Sequence, residues 1–290
     1  MNKRIQWMMC AIVLCALNAM PGWAQNYAEP YLTDETRPKG LVWLPEPPEL
    51  TSAVFTYDFY YYQLGRQLRE VEGVSEQALS DESAKLWNVF SEVLDIQLSE
   101  ETTPEIVLLA ESAIVDAKKA NTVVKNHYQR IRPFAQFNEP SLKPWTDEEE
   151  ASTYSYPSGH ASRGWMYAFV LASVIPEYAE QIFNRALVYA DNRVICGHHW
   201  KTDIDASLML AAGIFATIVS TDAFHAQQKK AREEYLRVKN STAVSSVKSR
   251  ATDSSASVYD LQGRRLDKTP SAPGIYIVDG QKTVVGNNPS

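Results

Sequence analysis

TPEIVLLAESAIVDAKKANTVVKNHYQRIRP, residues 103–133, has the pattern of one long helix. Thr103-Pro104 supplies a capping hydroxyl followed by proline at the first helical position. Ala110, Ala113, Ala117 and Ala120 recur at three- and four-residue spacing, a narrow stripe suited to close helix packing. Working outward, similar periodicity predicts helices at 53–71, 76–97, 160–175, 177–195, 200–223 and 225–239. Alternating strand patterns are missing from Thr51 to Lys239. The expected fold class is therefore all-α, a multi-helix bundle. Ahead of it, Asn26 to Leu50 is rich in Pro and Tyr, as in an extended arm.

The chain has 290 residues, 45% hydrophobic and 22% charged, which excludes a disordered or collagen-like protein. Lys3 and Arg4 precede a mostly apolar run from Trp7 to Ala19, and Gly22-Trp23-Ala24 offers small residues for cleavage. Residues 1–24 thus read as a signal peptide, with an apolar core shorter than the ~20 residues of a spanning helix. The expected location is periplasmic, secreted or at the cell surface. The most apolar later run, Ala206 to Thr221, suits a buried core helix, so no membrane span is predicted. Net charge is −7, and more negative once Lys3 and Arg4 are removed. So acidic a chain is not expected to bind nucleic acid, and any local cluster of cations stands out.

Beyond the leader, Cys196 is the only cysteine, which rules out an internal disulfide and a Cys-x-x-Cys zinc site. Cys196 itself is either a nucleophile or, as its setting between Ile195 and Gly197 favours, a small buried residue. The helical domain is predicted to span 25–240. A Ser/Thr-rich linker follows over 241–256, then a small β module over 257–290, where Asp279-Gly280 between β-branched runs signals a hairpin. Phe55, Tyr57, Phe59, Tyr60, Tyr61 and Tyr62 crowd one helix on several faces. That pattern fits core packing plus a subunit contact of the kind a homodimer uses.

Three segments carry groups that make chemical sense together. Lys125 and Arg132 are seven residues apart, two helical turns, so they are expected on one face, with Pro133 ending the element. Taken alone, the pair reads more readily as two solvated cations. Pro157-Ser158-Gly159-His160 opens a helix whose first N–H groups lack internal partners, a natural anion site that Gly159 lets a ligand approach. His160 there could also be a capped surface residue. Arg193 falls on the apolar stripe Ile182, Ala186, Ala190, where a guanidinium needs an anion or a structural carboxylate partner. His199 and Asp203 stand i, i+4, so the carboxylate can fix one ring nitrogen and free the other to attack. Three cations, a helix terminus and two histidines together fit a phosphoryl group in transfer, with neutral His199 attacking and protonated His160 giving its proton to the leaving oxygen. Side chains supply the charge stabilisation, so neither metal nor other cofactor is expected.

The order Lys125-x6-Arg132-Pro133, Pro157-Ser158-Gly159-His160, Arg193-x5-His199-x3-Asp203 resembles the three-part signature of the phosphatidic acid phosphatase type 2/haloperoxidase superfamily. Arg193-Val194-Ile195-Cys196-Gly197 and His199-Trp200 are most similar to its bacterial class A non-specific acid phosphatases, over roughly residues 40–235. The resemblance implies Lys125, Arg132, Ser158, Gly159, His160 and Arg193 as phosphate ligands. It also implies His199 as the phosphorylated residue, Asp203 as its partner and His160 as general acid. Asn192 departs from the small residue usual before the arginine, and His198 falls outside the motif, at the pocket rim at best. Small phosphomonoesters are the expected substrates. The alternatives are a vanadate-dependent haloperoxidase and a non-catalytic phosphate-binding protein. Asn138 to Tyr156, with Trp145 and the acidic run 147–150, is expected at the pocket lip, the acids themselves as a solvated charge run. In the tail, Val258 to Arg265 and Gly274 to Val278 resemble the end of a Bacteroidetes type IX secretion sorting domain, implying that export machinery as a partner.

Overall fold

The computed structural model describes residues 28–252 and, after them, 258–259, 265–266, 274–278 and 281–285. The predicted signal peptide lies outside the described residues. The helices are α1 (Phe55–Leu68), α2 (Val74–Ser80), α3 (Leu86–Phe90), α4 (Pro104–Tyr128), α5 (Pro133–Phe137), α6 (Asp147–Ala151), α7 (Gly159–Val174), α8 (Ala179–Ile195), α9 (Lys201–Ile218) and α10 (Asp222–Thr252). The chain divides into two compact units at Tyr235/Leu236. In the first unit the described elements are helical, as the periodicity implies.

Pro104 does start α4, but the Thr103 hydroxyl does not cap it. That hydroxyl turns back, donating to the Ser99 carbonyl and accepting the Ser99 N–H. The cap comes from Glu234, whose carboxylate accepts the Glu105 and Ile106 N–H groups at 3.2 and 3.0 Å. A negative charge at a helix N-terminus satisfies both the free donors and the helix dipole. Ala110, Ala113, Ala117 and Ala120 are all buried, and α4 packs on α7 and α9. Helix α7 in turn packs on α8 and α9. Gly164 of α7 lies against the Tyr189 ring of α8, where any Cβ would collide.

Two expectations need correction. The helix predicted over 76–97 is broken: α2 stops at Ser80, and α3 and a 3-10 turn over Ser91–Val93 follow. Asp81 is buried and ion-paired with Arg185 of α8, while Glu82 pairs with Arg193, so this segment turns inward instead of continuing. The residues read as the start of a linker, 241–252, are the end of α10. Ala243, Val247, Lys248, Arg250 and Ala251 are interspersed with the serines there, and serine costs a helix only about 0.5 kcal/mol relative to alanine. In the second unit, β1 (Val258–Tyr259), β2 (Arg265–Leu266), β3 (Gly274–Val278) and β4 (Gln281–Val285) form an antiparallel sheet in the order β2-β1-β3-β4, with Val278 opposite Gln281.

The aromatic run of α1 divides by face. Tyr62 is buried and Phe55 sets its edge on Trp200 at 5.2 Å, whereas Tyr57, Phe59 and Tyr60 are exposed. Asp58, in the middle of that run, is fully buried. Among the described residues no single helix is long and apolar enough to cross a membrane.

Candidate active site

Helix α4 brings Lys125 to the site and then ends at Tyr128, earlier than Pro133 suggested, because Gln129 turns left-handed at φ 50°. Arg132 is therefore not on the face of α4 that carries Lys125. It is delivered by the extended backbone that caps α5. Its guanidinium is almost fully enclosed and holds the Thr153 hydroxyl at 2.8 Å, the Glu150 carboxylate at 2.8 Å and the His198 carbonyl at 3.0 Å. Lys125 donates to the Tyr154 carbonyl. Burial, and then Arg132 nearby, push its ammonium down to about 7.

At the far end of α8, Gly197 adopts φ 79°, the left-handed conformation that commonly terminates helices. The turn folds His198 and His199 back so that both N–H groups reach the Arg193 carbonyl. His199 thus precedes α9, and its spacing to Asp203 is not a helical i, i+4 pair. Asp203 is the third residue of α9, where Oδ2 accepts the Trp200 N–H at 2.9 Å and faces His199 Nδ1 at 3.3 Å. On the other side of the ring, Arg132 Nη1 approaches His199 Nε2 at 3.1 Å. A guanidinium can only donate, so Nε2 carries the lone pair and Nδ1 the proton. This is the tautomer an attacking imidazole needs.

Asp203 is itself held from behind. Its Oδ1 accepts Arg130 Nη1 at 2.6 Å, and Arg130 Nη2 reaches Asp58 at 2.6 Å. Asp58 also accepts the Thr202 N–H and hydroxyl at 2.8 and 2.7 Å. The guanidinium lies over the Trp200 ring at 5.2 Å. Burial pushes the Asp203 carboxyl up, and Arg130 works against that shift.

Ser158 caps α7 by accepting the Ala161 N–H at 3.2 Å. Its own N–H reaches the Asp203 carbonyl at 3.3 Å, and Ser207 Oγ donates to the Ser158 carbonyl. The Pro157–His160 turn is thereby tied to the start of α9. Gly159 and His160 contribute first-turn N–H groups with no partner inside the helix. The His160 ring stacks on Tyr189 at 4.5 Å and bonds the Asp81 carbonyl through Nε2 at 2.6 Å, not His199. Burial and then Arg193 lower it to about 3, so in this state it is neutral.

Arg193 is buried, as its stripe predicted, and its partners are Glu82 and His198 Nδ1, the latter at 2.6 Å. Burial opposes the charge of Glu82, but Arg193 and then Lys143 hold its carboxyl down at about 2. His199 is held well below its ordinary range by burial and by Arg132, Lys125 and Arg193 in turn. Of the predicted cations, Arg132 is the one in contact with the His199 ring, whereas Arg193 contacts His198 and Lys125 donates to the Tyr154 carbonyl.

Several residues have settings that the sequence did not predict. His198 is buried against Arg193 and Phe134, not at a rim. Glu150, read as one acid of a solvated run, pairs with Arg132. Asn192 is explained by Asp81, to which it donates at 2.7 Å. Asp58, Arg130, Asp81 and Glu82 gave no motif signal, although an acid inside an aromatic run and a polar Ser-Asp-Glu-Ser break in a helical pattern are visible in retrospect. Burial raises the Cys196 thiol to about 11, in keeping with a structural residue. Among the described residues no group of three or more His, Cys, Asp or Glu side chains is placed to hold a metal ion.

Against this geometry, the model of the PAP2 superfamily matches residues 106–227. A non-specific acid phosphatase of Providencia stuartii is 37% identical over 213 residues, covering 72% of this chain and 86% of that protein. The non-specific acid phosphatase of Salmonella typhimurium is 30% identical over 210 residues, covering 71% and 84%. An acid phosphatase of Zymomonas mobilis is 28% identical over 244 residues, covering 80% and 91%.

Proposed function

The chain belongs to the bacterial non-specific acid phosphatases of the PAP2 superfamily and is a phosphoric monoester hydrolase, and we propose that it cleaves small phosphomonoesters through a phosphohistidine on His199. The observation that carries the mechanism is the setting of His199, with Nδ1 on Asp203 and Nε2 on the guanidinium of Arg132, which together fix the tautomer with its lone pair on Nε2. A protein that only binds phosphate has no use for an oriented base.

The cations are paired internally, Arg132 with Glu150 and Arg193 with Glu82. A phosphoryl group replaces those carboxylates. Lys125, Arg132 and Arg193 take its non-bridging oxygens together with the Gly159 and His160 N–H groups. His199 Nε2 then attacks phosphorus in line, and the P–O bond to the leaving group breaks as the P–N bond forms. His160 donates the proton that the departing oxygen needs. Burial and Arg193 hold it down at about 3, and an arriving dianion supplies the countercharge that raises its affinity for a proton. In the second half, His160 takes a proton from water as the water oxygen displaces His199, releasing inorganic phosphate.

The same reading places the protein outside the inner membrane, with residues 1–24 as the leader and the tail over 257–290 as an export signal. The test of function is hydrolysis of 4-nitrophenyl phosphate by the purified protein, with and without chelator. Inhibition by vanadate and loss of turnover in His199→Ala, with phosphate binding retained, are expected. Bromide oxidation with vanadate and peroxide in place of ester cleavage would overturn the proposal.

A further inference from the structure

The space beside the site exceeds what one phosphoryl group fills. A cavity of about 250 Å³ includes Lys125, Gly159 and His160 in its lining. A second, of about 840 Å³, shares Lys118, Thr122 and Arg163 with it, so the two run together along the cleft between α4 and α7. Helical spacing orders the charges. Lys118 precedes Lys125 by two turns on the same side of α4, roughly 10 Å along the axis, and Arg163 follows His160 by one turn on α7, roughly 5 Å away.

Among the described residues Lys39 also lines the larger cavity without an ion pair, but unlike these two cations it does not reach the smaller one. Arg37 and Lys119, which also line the larger cavity, are engaged by Asp34, and Glu111 accepts the Tyr167 hydroxyl. Among the described residues, Lys118 and Arg163 form no ion pair, and Arg163 Nε is shielded from water without a hydrogen-bond partner. A buried guanidinium N–H without an acceptor is costly, and the cavity leaves room for a ligand to provide one. On a chain of net charge −7, two cations without a carboxylate partner, both lining the two adjoining cavities beside the site, mark this cleft for an anion.

We infer that this cleft is a leaving-group subsite, and that it selects phosphomonoesters carrying a second phosphate about one sugar ring from the scissile one. The inference rests on the phosphatase reading of the adjoining site. Arg163 contacts the nearer oxygens of the second phosphate, and Lys118 closes on it from α4.

The test compares kcat/KM of the full chain on a hexose monophosphate and on the corresponding hexose bisphosphate. The bisphosphate is expected to be preferred by about tenfold at low salt, the worth of one charge-assisted contact, and the preference should shrink as salt is raised. Lys118→Glu and Arg163→Gln should each abolish the preference and leave the monophosphate within about twofold. Lys118 is exposed, so Lys118→Glu keeps the test open if Arg163→Gln does not fold. Equal rates on both esters, or equal losses on both in Lys118→Glu, would overturn the subsite while leaving the phosphatase reading intact. Failure to hydrolyse either ester would overturn both.

Discussion

Arg130→Met removes the group that holds the orienting carboxylate. Asp203 has no exposed surface, and its bond to Arg130 Nη1 is 2.6 Å long between two buried charges. A hydrogen bond to a charged group contributes about 1.5–3 kcal/mol, which at 1.4 kcal/mol per decade corresponds to a loss of roughly 10- to 150-fold. Because Arg130 touches Asp203 and not the ligand-binding cations, the loss should fall on kcat, with KM for 4-nitrophenyl phosphate changed by less than about threefold. The pH profile should move as well. Burial already raises Asp203, and losing Arg130 raises it further. Ionised Asp203 is the form that holds His199 Nδ1–H, so the acid limb of kcat shifts to higher pH. In a double-mutant cycle, Arg130→Met added to Asp203→Asn should cost little more than Asp203→Asn alone. Full additivity, or a loss confined to KM, would refute the positioning role.

Other outcomes follow from the same geometry. Burial and then Arg132 push the Lys125 ammonium down to about 7, so binding of sulfate, a dianion throughout, should tighten as pH falls through 7. Calorimetry should show that dependence vanish in Lys125→Met. His160 and His198 lie near 3 when folded, against about 6.5 in an unfolded chain, so below pH 6.5 the unfolded state binds more protons. The ligand-free protein should therefore lose about 1.4 kcal/mol per pH unit for each of these histidines as pH falls from 6.5 toward 3, as urea titrations can measure. His160→Ala should lower kcat on alkyl phosphates by about 10²–10³, and by far less on 4-nitrophenyl phosphate, whose leaving group needs no proton.

The parts of the site legible in sequence were those whose chemistry is local. The Pro157–His160 turn reads as a helix start because Pro, Ser and Gly have their own backbone preferences, and Ser158 does cap α7. Arg193 on an apolar stripe correctly implied a buried cation. Where spacing stood in for geometry, it misjudged how the residues are held. Gln129 ends the helix before Arg132, so Lys125 and Arg132 do not share a helix face, and His199 meets Asp203 at a helix cap instead of along a helix. Asp58, Arg130, Asp81 and Glu82 were illegible because their partners lie far away in sequence. Asp58 and Thr202, for instance, are brought together only when α1 packs beside the start of α9. A carboxylate acquires its role from the guanidinium it meets, and pairing of that kind is tertiary information.

The central claim is that His199 carries the phosphoryl group between two half-reactions. Mixing the enzyme with excess substrate, quenching in alkali within one turnover, where phosphohistidine survives, and mapping the peptides by mass spectrometry tests it directly. A phosphoryl group on the peptide containing His199, absent from His199→Ala, is the predicted result. Phosphate on another residue, or turnover with no phosphorylated protein at any quench time, would contradict it.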